Sequence, residues 1–88
     1  MKLKYQFVTN EVAGNMIAVA TGDGMEKFSG FVKMDQNGAF IFHQLQQDTT
    51  VEKIVAEMKK TYSEPEEEIR EAVVRVIEKL RADSLIED

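Results

Sequence analysis

Two spacings of apolar residues divide the chain near residue 35. Ahead of it, Tyr5–Val8, Met16–Ala20 and Phe28–Met34 are short apolar runs rich in aromatic and β-branched residues, broken by Gly and Asn. That composition predicts strands. Gly14-Asn15 between the first two predicts a hairpin, since both residues tolerate positive φ. Thr21-Gly22-Asp23-Gly24 predicts a looser link to the third. Strands joined by links this short pair antiparallel, because a parallel pair needs a long crossover. The expectation is a meander.

Beyond residue 35 the spacing turns helical. Asp35 stands at an N-cap position, and Ala39, Ile41, Phe42 and Leu45 supply the apolar side of a first helix. Thr49 and Glu52 have the spacing of a capping box. After them Val51, Ile54, Val55, Met58 and Tyr62 follow one face of a second helix. Ser63 and Glu66 repeat the box for a third helix, with Pro65 in its first turn. Ile69, Ala72, Val73, Val76, Ile77 and Leu80 form that helix's apolar stripe, Asp83-Ser84 ends it, and Leu85-Ile86 folds back as a short apolar tail. No repeat or linker interrupts the order, so residues 1–88 read as one α+β domain, a three-stranded antiparallel sheet followed by three helices. A lone sheet cannot bury its apolar face, so it packs on the helices.

Composition narrows the chemistry. The chain has no cysteine and one histidine, His43, which removes disulfides, thiolate metal sites, cysteine nucleophiles and multi-histidine centres. No apolar run approaches the ~20 residues of a membrane helix, and the first twenty residues lack the order of a signal peptide. A soluble cytoplasmic domain is expected. The net charge is −5, and it is unevenly placed. Lys2, Lys4, Lys27 and Lys33 balance Glu11, Asp23, Glu26 and Asp35 in the first half, so the whole deficit lies in the helical half. That is the wrong polarity for contacting phosphates.

No active site is legible. His43 has no nucleophile or orienting partner in view. Glu64, Glu66, Glu67 and Glu68 fan around a helix axis instead of converging on a metal, and they suit a helix N-terminus electrostatically. Gly22-Asp23-Gly24 lacks the full glycine fingerprint of a phosphate loop and reads as a turn. Met16, Met25, Met34 and Met58 are scattered and read as core filling. The expectation is a non-enzyme without metal or cofactor. What remains is surface. Alternation along the third strand leaves Phe31 and Lys33 on the face away from the helices. At ~100° per residue, Arg70, Val74 and Arg81 fall together beside Ile77, just outside the stripe of the third helix.

The segment Val32-Lys-Met-Asp-Gln-Asn-Gly-Ala-Phe-Ile-Phe42, followed by Leu45, resembles the PqqD-like family, named for a pyrroloquinoline quinone biosynthesis protein. That family has a strand ending in Leu-Asn-x-Thr-Gly-Ala-x-Ile-Trp-x-x-Leu. Thr50-Val-Glu-Lys-Ile-Val, Tyr62, Leu80 and Leu85-Ile86 agree in order and spacing, so the resemblance runs from about Phe7 to Glu87. Phe42 stands where the family usually has Trp, and the glycine that often follows the first helix is missing around Gln47-Asp48. The resemblance implies a winged-helix-like domain that recognises the leader of a ribosomally made, post-translationally modified peptide. The leader would add as a strand beside the third strand, against the third helix, and be presented to a radical S-adenosylmethionine enzyme or another maturase. On this reading the groove comprises Phe31, Lys33, Arg70, Val74, Ile77 and Arg81, with neither nucleic acid nor membrane as partner. The competing class is a winged-helix DNA-binding regulator, against which the acidic third helix argues. An unpaired third strand could also pair with itself in a homodimer.

Overall fold

The computed structural model describes residues 1–88. In chain order it contains β1 (Lys2–Leu3), β2 (Phe7–Val12), β3 (Asn15–Ala20), α1 (Gly24–Lys27) and β4 (Phe31–Met34). Then follow α2 (Gln36–Gln44), α3 (Val51–Lys59), α4 (Glu66–Ala82) and β5 (Ile86–Glu87). The expected meander is present as an antiparallel sheet in the order β2-β3-β4, and the fold is α+β. Its first hairpin turns one residue earlier than the sequence predicts. Val12 pairs with Asn15, so Ala13 and Gly14 form the turn, at φ 52° and 82°. Two positive φ values match the right-handed twist of the flanking strands, and Gly14 accepts its value without the penalty Ala13 bears.

The third strand of the meander is shorter than expected, because residues 24–27 form a helical turn. The Phe28 amide donates to the Gly24 carbonyl at 2.8 Å, which ties Phe28 to α1. Pairing with β3 begins only at Phe31, opposite Val19, and ends at Met34, opposite Met16. Gly24 is required where α1 begins. A Cβ there would stand 2.7 Å from Tyr5 Cβ and 3.2 Å from Ala20 Cβ.

The helices begin largely where expected, with two changes in capping. Asp35 caps α2 by accepting from the Gly38 amide at 2.8 Å. In α3 the cap is Thr50, whose hydroxyl accepts from the Lys53 amide at 3.2 Å. Thr49 is instead buried, its amide donating to the Met1 carbonyl at 2.9 Å. Pro65 is itself the N-cap of α4, which has no side-chain cap. Glu66, Glu67 and Glu68 fill its first turn and face the helix dipole.

A single core joins sheet and helices. Phe42, Leu45, Ile54, Met58, Val73 and Leu80 are buried in it, as the apolar spacing predicts, whereas Val76 is only partly covered at its margin. Ala18 and Val32 supply the sheet's share. The Phe42 ring meets Phe7 edge-on at 5.1 Å, linking α2 to β2. The apolar tail does more than fold back. Leu85 is fully buried, and Ile86 pairs with Leu3 in a small second sheet, β1-β5. Among the methionines Met58 is core, but Met25 is 61% exposed, so core filling does not account for it.

Candidate functional site

β4 is an edge strand. On one side it is bonded to β3; on the other, nothing pairs with it. None of the turn, loop or cap hydrogen bonds involves a backbone group of residues 29–34. The outward N–H and C=O groups of β4 are therefore free to accept another strand. Alternation sets the two faces of this edge. Val32 points into the core and Met34 is half-buried against it, while Phe31 is 63% exposed and Lys33 lies on the same outer face. The strand half of the expected site is thus exposed at an open edge.

The helical half is distributed differently. Asn37, three residues past the end of β4, lines a small cleft with Glu68, Ile69 and Ala72 of α4, and with Met58 and Tyr62. The Ala72 side of α4 therefore faces the first turn of α2, the element that follows β4, and Val76 comes one turn later on that side. Both are half-buried. Arg70, Val74 and Arg81 lie on the opposite flank. Arg70 forms ion pairs with Glu52 of α3 and, at 3.7 Å, with Glu66. Arg81 pairs with Asp88 and approaches the Met1 sulfur. Val74 is 36% exposed and shares a shallow depression with Arg70, Glu71, Arg75 and Glu78, to which no β4 residue contributes. Ile77 is buried in the core. The six residues singled out by sequence do not converge on one groove. Phe31 and Lys33 flank the open edge, three side chains occupy the far flank of α4, and Ile77 lies beneath them.

Electrostatics explain why the arginines are held there. A hydrogen bond from Arg70 keeps the Glu52 carboxyl below its ordinary range, and Glu52 in turn raises Arg70. Lys59 does the same to Glu66 through a 2.7 Å contact. These pairs fasten α3 to α4 as an antiparallel helical hairpin. Ala72 and Val76 were placed by their spacing in the buried stripe. Their partial exposure was hidden because period alone does not tell which margin of a stripe another element covers. His43 is exposed, and no group of three or more His, Asp or Glu is arranged to hold a metal ion. No helix is long and apolar enough to cross a membrane.

Comparison with known proteins follows the same lines. The family model described as coenzyme PQQ synthesis protein D (PqqD) matches residues 8–86. No curated protein matches the chain. A solved structure titled "TbiB1 in Complex with the TbiA(beta) Leader Peptide" superposes with a TM-score of 0.74 at 18% identity. The match covers 99% of this chain and 95% of that one, so the whole fold is shared. With the family model spanning residues 8–86, the chain belongs to the PqqD family.

Proposed function

We propose that this domain is a non-catalytic recognition element for the leader of a ribosomally made precursor peptide, which it binds as a strand added beside β4. The observation that carries this reading is the open β4 edge, with its outward backbone groups unpaired and the half-buried Met34 at its end. Backbone hydrogen bonds along such an edge supply affinity, and pockets for alternate side chains supply selectivity. Membership of the PqqD family and a shared fold with a protein solved with its leader peptide support the same reading. A bound leader would then be presented to a modifying enzyme of the radical S-adenosylmethionine type.

For the peptide's contacts we keep Phe31 and Lys33 on the strand and assign the helical wall to Ala72 and Val76. The Arg70, Val74 and Arg81 flank is the alternative wall, and Ile77 supports both from beneath. The DNA-binding class finds no support, since the exposed side of α4 carries Glu67, Glu71 and Glu78, which phosphates would oppose.

A backbone amide NMR titration tests the reading, using a synthetic leader from a precursor frame encoded beside the domain. Shifts concentrated on residues 29–34 and on 72–79 of α4 support it. Val76→Glu should weaken binding at least tenfold, whereas Val74→Glu should leave it within a factor of two or so, about 0.4 kcal/mol at RT of ~0.6 kcal/mol. The reverse order would move the wall to the Arg70 flank. Shifts confined to β2 or α3 would refute the site.

A further inference from the structure

The surface of this domain exposes six large apolar residues, and four of them, Val8, Val12, Val19 and Phe31, stand on one face of the sheet, the face turned away from the helices. The register aligns three of them in a row across all three strands, since Val8 pairs with Val19 and Val19 pairs with Phe31. Ile17, half-buried, continues the apolar surface down the central strand beside Lys33. None of the strand residues on this face is acidic, although the chain carries a net charge of −5. Its one cation, Lys33, lies on an edge strand, where it can reach water from the rim. Scattered exposed apolar residues need no explanation, but an aligned row across a sheet marks a contact surface.

We propose that this outer sheet face is the contact between two copies of the chain, packed sheet on sheet about a two-fold axis. Three properties favour a second copy. The face is apolar at its centre and charged only at its rim, which is the arrangement an isologous interface needs. Two copies of an acidic protein can meet here without opposing carboxylates, whereas the outer side of α4 would set Glu67, Glu71 and Glu78 against their equivalents. The area is also sufficient for a reversible dimer. Three strands ~4.8 Å apart and four to six residues long present roughly 200–300 Å2 in plan per copy. With protruding side chains counted, two such faces bury on the order of 1,000 Å2, the lower bound of a specific interface. Self-pairing at the β4 edge, the other route to a homodimer, would consume the backbone groups that strand addition needs. Stacking the outer faces leaves the backbone groups of both β4 edges open to strand addition, although Phe31 would then be shared between the dimer contact and a peptide at the edge.

Sedimentation equilibrium of the full chain, from micromolar to millimolar concentration, tests the proposal without any ligand. The mass-average should rise from the 10.0 kDa monomer toward the dimer. Val19→Glu, at the centre of the row on an already exposed position, should raise the dissociation constant at least tenfold while leaving the thermal transition cooperative. Val8→Glu should act in the same direction. Ala56→Glu, the same charge change on the exposed side of α3, should leave association unchanged. A wild-type chain that stays monomeric to millimolar concentration overturns the proposal. So does a Val19→Glu chain that associates as tightly as wild type, which would move the contact to another face.

Discussion

Phe42 is the side chain on which the union of sheet and helices most depends. It is 1% exposed, among the largest fully buried side chains of the core, and its ring meets Phe7 at 5.1 Å and 79°. Truncation to alanine removes the ring and leaves a cavity, at a cost of roughly 3–5 kcal/mol. A domain of 88 residues has a total stability of roughly 4–13 kcal/mol, so Phe42→Ala should fold marginally. Phe42→Leu is the more informative change. Leucine fills much of the site but forfeits the edge-to-face contact, worth about 0.5–1.5 kcal/mol. At ~4–8 °C per kcal/mol for a domain of this size, the melting temperature should fall by roughly 2–12 °C. Thermal and urea unfolding followed by circular dichroism give both numbers. Protein concentration must be held fixed, since self-association would raise the apparent stability. A double-mutant cycle with Phe7→Leu then isolates the pair, and a coupling of about 0.5–1.5 kcal/mol is expected. Additivity to within ~0.3 kcal/mol, or a Phe42→Ala chain melting within a few degrees of wild type, would refute this placement of the ring.

Three further outcomes follow from local geometry. Asp35→Ala removes the acceptor for the Gly38 amide and should destabilise the domain by about 0.5–2 kcal/mol in urea unfolding. Gly24→Ala drives a Cβ to 2.7 Å from Tyr5 Cβ, so α1 must shift, and a loss of roughly 1–3 kcal/mol is expected by the same assay. Acid should act through the ion pairs. The Glu52 and Glu66 carboxyls sit below their ordinary value of 4.5 because of Arg70 and Lys59, and Asp88 sits below 3.8 because of Arg81. Folded values below unfolded ones mean that the stabilisation is complete above about pH 5 and is lost as pH falls through the lowered values. The melting temperature should therefore be level toward neutrality and decline below pH 4.5, more shallowly in Arg70→Ala, and the difference should shrink in high salt because the pairs are exposed.

The helical half was legible because its periodicity is long and its apolar stripes are full. Ile54, Val55, Met58, Val73 and Leu80 sit in the core at the positions their spacing predicts. The sheet was legible in strand number and connection but less so at its ends. Whether Phe28–Gly30 pairs with β3 depends on α1 taking up the Phe28 amide, a helical turn too short to show a period. The β1-β5 sheet joins residues more than eighty apart through two residues each, and no local pattern announces such a pairing. In the candidate site, strand alternation placed Phe31 and Lys33 on the outer face correctly. The helical members needed tertiary information. Arg70, Val74 and Arg81 share a flank by helical geometry, as the sequence says, but which flank packs toward α2 is shown only by the fold, where Asn37 in the first turn of α2 lines a cleft with Glu68 and Ala72. The row Val8-Val19-Phe31 was likewise invisible before the register was known, because its members lie on three separate strands.

The central claim is that a leader peptide extends the sheet at β4. Isotope-filtered NMR of the labelled domain with an unlabelled leader measures this directly, through intermolecular contacts between backbone protons. The account predicts cross-strand contacts from the peptide to residues 31–34 in an antiparallel or parallel register, with slowed exchange of the outward β4 amides. Peptide contacts to β2 alone, or a bound peptide in helical conformation lying on α3, would contradict it.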